Sequence, residues 1–162
     1  PAVTYLALVG VHVGDAGASA LAAALGRGAL PRLKYLALAN NAIGDAGLVA
    51  LALALRRLPA LEYLDLGGSP LGDEGLAALV APPPPPPAGA LPPPTGVLTK
   101  LKQLHLGYTR FTDAGCAALA SALDSGALPA LEYLDLYGIP ASEAAKATVG
   151  RAGFIRGLRC EV

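Results

Sequence analysis

The chain has 162 residues, enough for one domain, with 12 basic and 12 acidic side chains and a formal net charge of zero. This balance argues against a nucleic-acid-binding surface or a basic patch for a membrane surface. The two cysteines are too few for a disulfide framework, and the richest apolar run, residues 46–55, is about half the length of a membrane span.

Five units of similar sequence follow one another, and each predicts a strand followed by a helix. Leu-x-Leu pairs have the alternation of a strand. In the second unit, Leu48, Leu51 and Leu55 then recur with the period of a helix. The pairs recur after 30, 28, 40 and 30 residues, at Leu6/Leu8, Leu36/Leu38, Leu64/Leu66, Leu104/Leu106 and Leu134/Leu136. Such a repeat predicts a solenoid, in which each unit packs on its neighbours.

The joint between strand and helix reads Gly-Asp-Ala-Gly at 14–17 and 44–47, with variants at 72–75 and 112–115. Asp45 is predicted to be the N-cap of its own helix, where its carboxylate would accept free backbone N–H groups. Gly44 would permit a sharp turn, and Gly47 would let the helix approach the neighbouring repeat closely. The aspartates are interpreted as structural, because they recur at helix starts without a nucleophile or a metal partner.

The units resemble the leucine-rich repeat superfamily, specifically its long, ribonuclease-inhibitor-like class. Its motif LxxLxLxxNxL is matched by Leu33, Leu36, Leu38, Asn41 and Ile43, by Leu61, Leu64, Leu66 and Leu71, and by Leu101, Leu104, Leu106 and Phe111. The resemblance covers nearly the whole chain. It implies an α/β solenoid, a curved horseshoe segment of about five repeats of 28–30 residues, with parallel strands on the concave face and helices on the convex face.

The position that the family fills with Asn or Cys departs from the pattern in most units. It holds Val11, Asn41, Ser69, Thr109 and Ile139. The family's hydrogen-bonded ladder at this position is therefore expected to be largely missing, and the turns after the strands are expected to be looser or irregular.

Residues 1–162 are predicted to form a single leucine-rich-repeat domain of a longer chain, because the sequence has no Met and its first unit has no preceding helix. That first edge would need further repeats or a partner to cover it. Residues 142–162 are predicted to be a C-terminal cap. The proline-rich segment 82–94 is predicted to be an insertion loop in polyproline II conformation, serving either as a ligand for proline-recognising domains or as a tolerated surface loop.

Residues between the leucines are expected to point out from the concave face and to bind a partner. Five of the six tyrosines fall there, and tyrosine is favoured at interfaces. The alternative is that they are inherited with the repeat and only stack on one another. The predicted partner-binding residues are Tyr5, Tyr35, Tyr63, Asp65, Gln103, His105, Tyr133, Asp135 and Tyr137.

Asp65, His105 and Asp135 form the one cluster on this face with chemical possibilities, on neighbouring strands about 4.8 Å apart. It is interpreted as a polar hot spot for a basic or hydrogen-bonding group. No catalytic, cofactor-binding or metal-binding residue is predicted. Five strands offer a strip of roughly 400 Å², about half of one partner's share of a standard interface.

The predicted function is a non-enzymatic protein–protein interaction scaffold, possibly a structural or linker subunit docked in a larger assembly, with protein partners and neither nucleic-acid binding nor membrane insertion. Two alternatives stay open: a regulatory partner of a GTPase, similar to the Ran GTPase-activating proteins, and a ligand-sensing repeat domain of a larger receptor. The compartment is taken as intracellular by default, since an N-terminal signal would not be visible. Cys116 is predicted to be a buried thiol, and a bond to Cys160 is left open.

Overall fold

The computed structural model describes residues 2–82, 87–89 and 98–161, in which strands and helices alternate along the chain. The strands are β1 (Tyr5–Ala7), β2 (Tyr35–Ala37), β3 (Tyr63–Asp65), β4 (Gln103–His105), β5 (Tyr133–Asp135) and β6 (Arg159–Glu161). The helices are α1 (Asp15–Gly26), α2 (Asp45–Leu55), α3 (Asp73–Val80), α4 (Asp113–Asp124) and α5 (Glu143–Phe154). The strands form one parallel sheet in chain order, so the predicted α/β solenoid is confirmed.

The core lies between the sheet and the helices. Leu36, Leu64, Leu104 and Leu134 occupy one register across four strands and are fully buried. The apolar residues that recur with the helical period pack against this row of leucines. Cys116 is one of them, and it is confirmed as a buried free thiol. Burial raises the pKa of the Cys116 thiol, which keeps it uncharged and unreactive at neutral pH.

The predicted cap at 142–162 contains an element that the sequence did not predict, the sixth strand. Cys160 takes the leucine position beside Leu134, and Arg159 lies opposite Tyr133. The Arg156 guanidinium donates to the carbonyl oxygens of Ala127 at 2.8 Å and Leu128 at 3.0 Å. It thereby satisfies acceptors beyond the end of α4. Most of the predicted proline-rich loop, at 83–86 and 90–94, lies outside the described residues.

The role predicted for the aspartates is corrected by the structure. Helix α2 begins at Asp45, its N-cap is Gly44, and no side chain caps it from within its own repeat. The Asp45 carboxylate instead accepts the backbone N–H groups of Gly72 and Gly75 in the next repeat, both at 2.9 Å. Each aspartate therefore satisfies the start of the following helix, which joins two repeats.

The same bond recurs along the solenoid. Asp15 Oδ1 accepts from Gly44 N at 2.7 Å and Gly47 N at 3.0 Å. Asp113 accepts from both the backbone N–H of Ser142, at 2.6 Å, and its hydroxyl, at 2.8 Å. Thr112 bonds to the preceding Asp73 in the same two ways. Glycine, threonine and serine can therefore all stand at the N-cap, and φ there is negative, so Gly44 is not needed for a sharp turn.

The close approach predicted at the second glycine is confirmed. A Cβ atom on Gly47 would lie 2.5 Å from Asp15 Oδ1, 2.9 Å from Ile43 Cγ2 and 3.1 Å from Ala18 Cβ. The glycine therefore leaves room for the carboxylate that its own N–H contacts. Asp15 and Asp45 therefore each bond to both glycines of the next unit, whereas Asp73 and Asp113 bond to Thr112 and Ser142 at the equivalent N-cap.

The expectation of irregular turns is wrong for the turns after β2 to β5. All five turns after β1 to β5 place a residue in the left-handed region at the same position, namely Gly10, Asn40, Gly68, Tyr108 and Gly138, and only the first turn adds a second such residue, His12 at φ +60°. The expected loss of the polar ladder is confirmed only in part, because buried Asn41 accepts from Val13 N at 3.0 Å and donates to Leu8 O at 2.6 Å. Its own N–H donates to Ser69 Oγ at 3.3 Å. One asparagine therefore ties the first three turns together.

The hydrogen bonds from Ser142 hold the pKa of Asp113 below its usual value. A carboxylate whose pKa is lowered by folding adds stability above its unfolded pKa, near 4, and loses it as pH falls through the lower folded value. We expect the urea concentration at the unfolding midpoint to decrease when the pH is lowered below about 4. Asp113→Asn should lower this midpoint at neutral pH and make it depend less on pH. The control is Asp124→Asn, which removes an exposed carboxylate at the last residue of α4 and should leave the urea midpoints close to those of the parent protein. A pH profile unchanged by Asp113→Asn would contradict the assignment.

Candidate functional site

A row of stacked rings crosses the open face of the sheet, the face on which the residues between the leucines lie. Tyr5 and Tyr35 stack with ring centroids 4.3 Å apart, and Tyr35 and Tyr63 with centroids 4.0 Å apart. Both distances are shorter than the usual strand spacing of about 4.8 Å. The rings therefore converge above the sheet, as side chains do on a concave surface.

His105 continues this row, which the sequence did not indicate. On β4, Gln103 occupies the position of the tyrosine column, in register with Tyr63 on β3 and Tyr133 on β5. The imidazole of His105, two residues along, lies between those tyrosines, with centroids 5.0 and 5.1 Å away. Its Nε2 is buried without a hydrogen-bond partner among the described residues. The ring is therefore held by packing on both sides.

The predicted Asp65–His105–Asp135 cluster is brought together unequally. The three residues share one register on β3, β4 and β5, and His105 Nδ1 lies 3.7 Å from Asp135 Oδ2. Each carboxylate also accepts a backbone N–H two residues on: Asp65 from Gly67 at 2.9 Å and Asp135 from Tyr137 at 2.8 Å. The acids are thus fixed by their own strand ends, with one oxygen of each already in use.

Two exposed tyrosines stand where the strands end. Tyr137 was predicted as a site residue, whereas Tyr108 was not. The two rings meet edge to face, with centroids 5.5 Å apart, and they are 57% and 67% exposed. Tyr108 N also donates to Tyr137 O at 2.7 Å. The pair extends the aromatic surface beyond the strands themselves.

A line of alternating charges borders the other end of the strands and was not predicted as part of the site. Glu62 lies between Lys34 Nζ at 3.6 Å and Lys102 Nζ at 3.2 Å. These residues directly precede the tyrosine column. Because the side chains are largely solvated, the ion pairs contribute little stability, but they fix the polar rim of the open face.

The tyrosine hydroxyls on this face resist ionisation. Burial, with the Tyr35 hydroxyl beside it, raises the pKa of Tyr63 well above its ordinary value. Burial and the Glu161 carboxylate raise the pKa of Tyr133 to about 12. Uncharged hydroxyls can both donate and accept hydrogen bonds at neutral pH. They therefore offer contacts to a partner without adding charge.

A shallow groove of about 640 Å³ lies at the C-terminal end of the open face, lined by Gln103, His105, Glu132, Tyr133, Gly157 and Arg159. In the described part of the chain, no three His, Cys, Asp or Glu side chains are placed to hold a metal ion. None of the described helices has both the length and the apolar character needed to cross a membrane.

Three segments, residues 30–52, 58–80 and 97–120, match the family profile described as Leucine Rich repeat. The crystal structure of an internalin (inlF) from Listeria monocytogenes is similar at 20% identity and a TM-score of 0.37, over 98% of this chain and 46% of that chain. This chain therefore spans less than half the length of that structure. A comparison with curated proteins finds no match. The chain contains leucine-rich repeats, while the ribonuclease-inhibitor-like class stays a prediction.

Proposed function

We propose that the chain is a non-enzymatic protein-interaction scaffold, a structural or linker subunit that holds a partner against the open face of its sheet. Leucine-rich repeat domains generally mediate protein–protein interaction. The observation that carries the proposal is the row of five rings from Tyr5 to Tyr133, which presents rigid aromatic area ordered before any partner arrives. Aromatic residues held in this way lose little conformational entropy on binding.

The size of the face sets a condition on this role. Six strands at about 4.8 Å span roughly 24 Å, so the face remains smaller than the ~800 Å² that each partner contributes to a standard interface. The Tyr108–Tyr137 pair adds exposed aromatic area at one side of it. We therefore expect a partner to cover both the ring row and this pair.

Site-specific photo-crosslinking tests the proposal. A photoreactive phenylalanine analogue would replace Tyr5 or Tyr137, which are 60% and 57% exposed, in the protein incubated with extract of its source organism. The matched control places the same analogue at Leu53, which is 65% exposed on α2. We expect both face positions to crosslink to the same protein, which migrates with a large assembly on native size fractionation, and Leu53 not to crosslink to it.

Two results would count against the scaffold role. Equal crosslinking from Leu53 would show that the open face is not the contact surface. If neither face position crosslinked and the protein migrated alone on size fractionation, the protein would not be a subunit of a larger assembly.

A further inference from the structure

We propose that Tyr108, Tyr137 and Asp135 form an anchoring site for a basic side chain, arginine or lysine, of the partner protein. The inference rests on the proposed function and names the chemistry of the group that the open face holds at the end of its strands.

Tyr108 is in a conformation that its own side chain disfavours. Its φ is +55°, in the left-handed region, where a Cβ atom crowds the following carbonyl oxygen. The equivalent turns use residues that adopt this region at little cost, Gly10, Asn40, Gly68 and Gly138. Core packing does not require the tyrosine, because its side chain is 67% exposed. His12, Leu30, Leu98 and Leu128 also lie in the left-handed region, so the torsion does not mark a site by itself. Tyr108 differs from them as an exposed aromatic residue, the kind of side chain that is favoured at interfaces.

The aromatic pair is built into its position. The Tyr108 ring lies over Gly138, where an added Cβ would come within 2.7 Å of ring atom Cδ1. Tyr137 meets this ring at an interplanar angle of 71°. Tyr108 and Tyr137 nevertheless remain more than half exposed, so part of their ring surface is open to solvent. An open tyrosine face attracts a cation through the electrostatic field of its π-electrons.

Negatively charged carboxylates lie beside the Tyr108–Tyr137 pair, as the binding of a cation requires. Tyr137 N donates a hydrogen bond of 2.8 Å to Asp135 Oδ1, which holds the carboxylate next to the backbone of Tyr137. In the same register, Glu161 lies on the next strand beside Asp135, and Asp65 lies two strands away on the other side, beyond His105. The imidazole of His105 lies 3.7 Å from Asp135, and the nearby cation in sequence is exposed Arg110, two residues beyond Tyr108. Three carboxylates in one column favour a basic group over an acidic one.

Tyrosine-labelled NMR of the whole chain tests this site. The six tyrosine ring signals would be followed during titration with the acetylated, amidated peptide Gly-Arg-Gly-Arg-Gly, and separately with Gly-Glu-Gly-Glu-Gly. We expect the arginine peptide to shift the Tyr108 and Tyr137 signals with a millimolar Kd, and the glutamate peptide to leave them unchanged. Tyr108→Gly and Tyr137→Phe would assign the two signals.

Three substitutions separate this site from general attraction of charge. Tyr108→Gly should preserve the fold, since glycine occupies this turn position elsewhere, and should weaken binding of the arginine peptide about fivefold. Asp135→Asn should weaken it similarly, while its amide oxygen still accepts the Tyr137 N–H. Arg110→Ala should leave binding unchanged or strengthen it, whereas a site for an acidic group would lose affinity.

Shifts of equal size with the glutamate peptide, or unchanged affinity in Tyr108→Gly, would overturn the basic anchor. So would a complete absence of shifts at these two rings. If the crosslinks from Tyr5 and Tyr137 persisted in any of these cases, the scaffold role would stand and only the identity of the anchored group would be wrong.

Discussion

Replacing Asp45 with alanine is expected to lower the free energy of unfolding by about 2–3 kcal/mol, because hydrogen bonds to a charged acceptor are among the stronger ones in proteins. One carboxylate oxygen accepts both Gly72 N and Gly75 N at 2.9 Å. Alanine would leave two N–H groups at the start of α3 without partners and would remove a bond between repeats. Urea denaturation followed by circular dichroism measures the loss, and amide exchange should quicken at those two glycines.

Asp124→Ala is the matched control for Asp45→Ala. Asp124 is an exposed aspartate at the last residue of α4, where a negative charge opposes the helix dipole. Its removal should be neutral or slightly stabilising. Asp45→Asn, which keeps an acceptor but loses the charge, should fall between the two. If Asp45→Ala behaved like Asp124→Ala, the bond between repeats would be no more than a surface contact.

Leu51→Ala is expected to destabilise the fold by about 2–5 kcal/mol, the range for a buried leucine whose removal leaves a cavity. Leu51 lies in the middle of α2 with no exposed surface. This helix packs against α1 on one side and α3 on the other. A cavity there would weaken two interfaces between repeats, which supply most of the stability of a solenoid. The urea midpoint and the thermal midpoint should both fall.

Leu53→Ala makes the same chemical change two residues along the same helix. Leu53 is 65% exposed, so the substitution removes little packing, and alanine favours the helix slightly. Its effect should stay within about 0.5 kcal/mol. Similar losses in the two variants would show that α2 is not packed as the structure places it.

Much of the candidate site follows from the repeat. Once the Leu-x-Leu pairs are aligned, Tyr5, Tyr35 and Tyr63 must share a column, because parallel strands of a solenoid advance in register. The burial of Cys116 follows likewise, since it takes a leucine position in the helix. Whether these residues bind a partner stays a prediction, because stacking alone also accounts for a tyrosine column.

Contacts between repeats could not be obtained in this way. Asp45 lies at the start of a helix. From the sequence pattern, its carboxylate could accept the free N–H groups of its own helix or those of the next helix equally well. The direction of its side chain decides between them. The place of His105 in the ring row is also a choice of side-chain direction, since the pattern offered Gln103.

The alternation of strand and helix, the burial of the leucines and the register of the tyrosine column could be predicted from the residues alone, because these features depend only on a period repeated along the chain. The tertiary structure decided which repeat each aspartate joins, where the sixth strand pairs, and that Tyr108 adopts a left-handed conformation beside Tyr137. These features depend on side-chain direction and backbone torsion across neighbouring repeats, and a one-dimensional period carries no information about either.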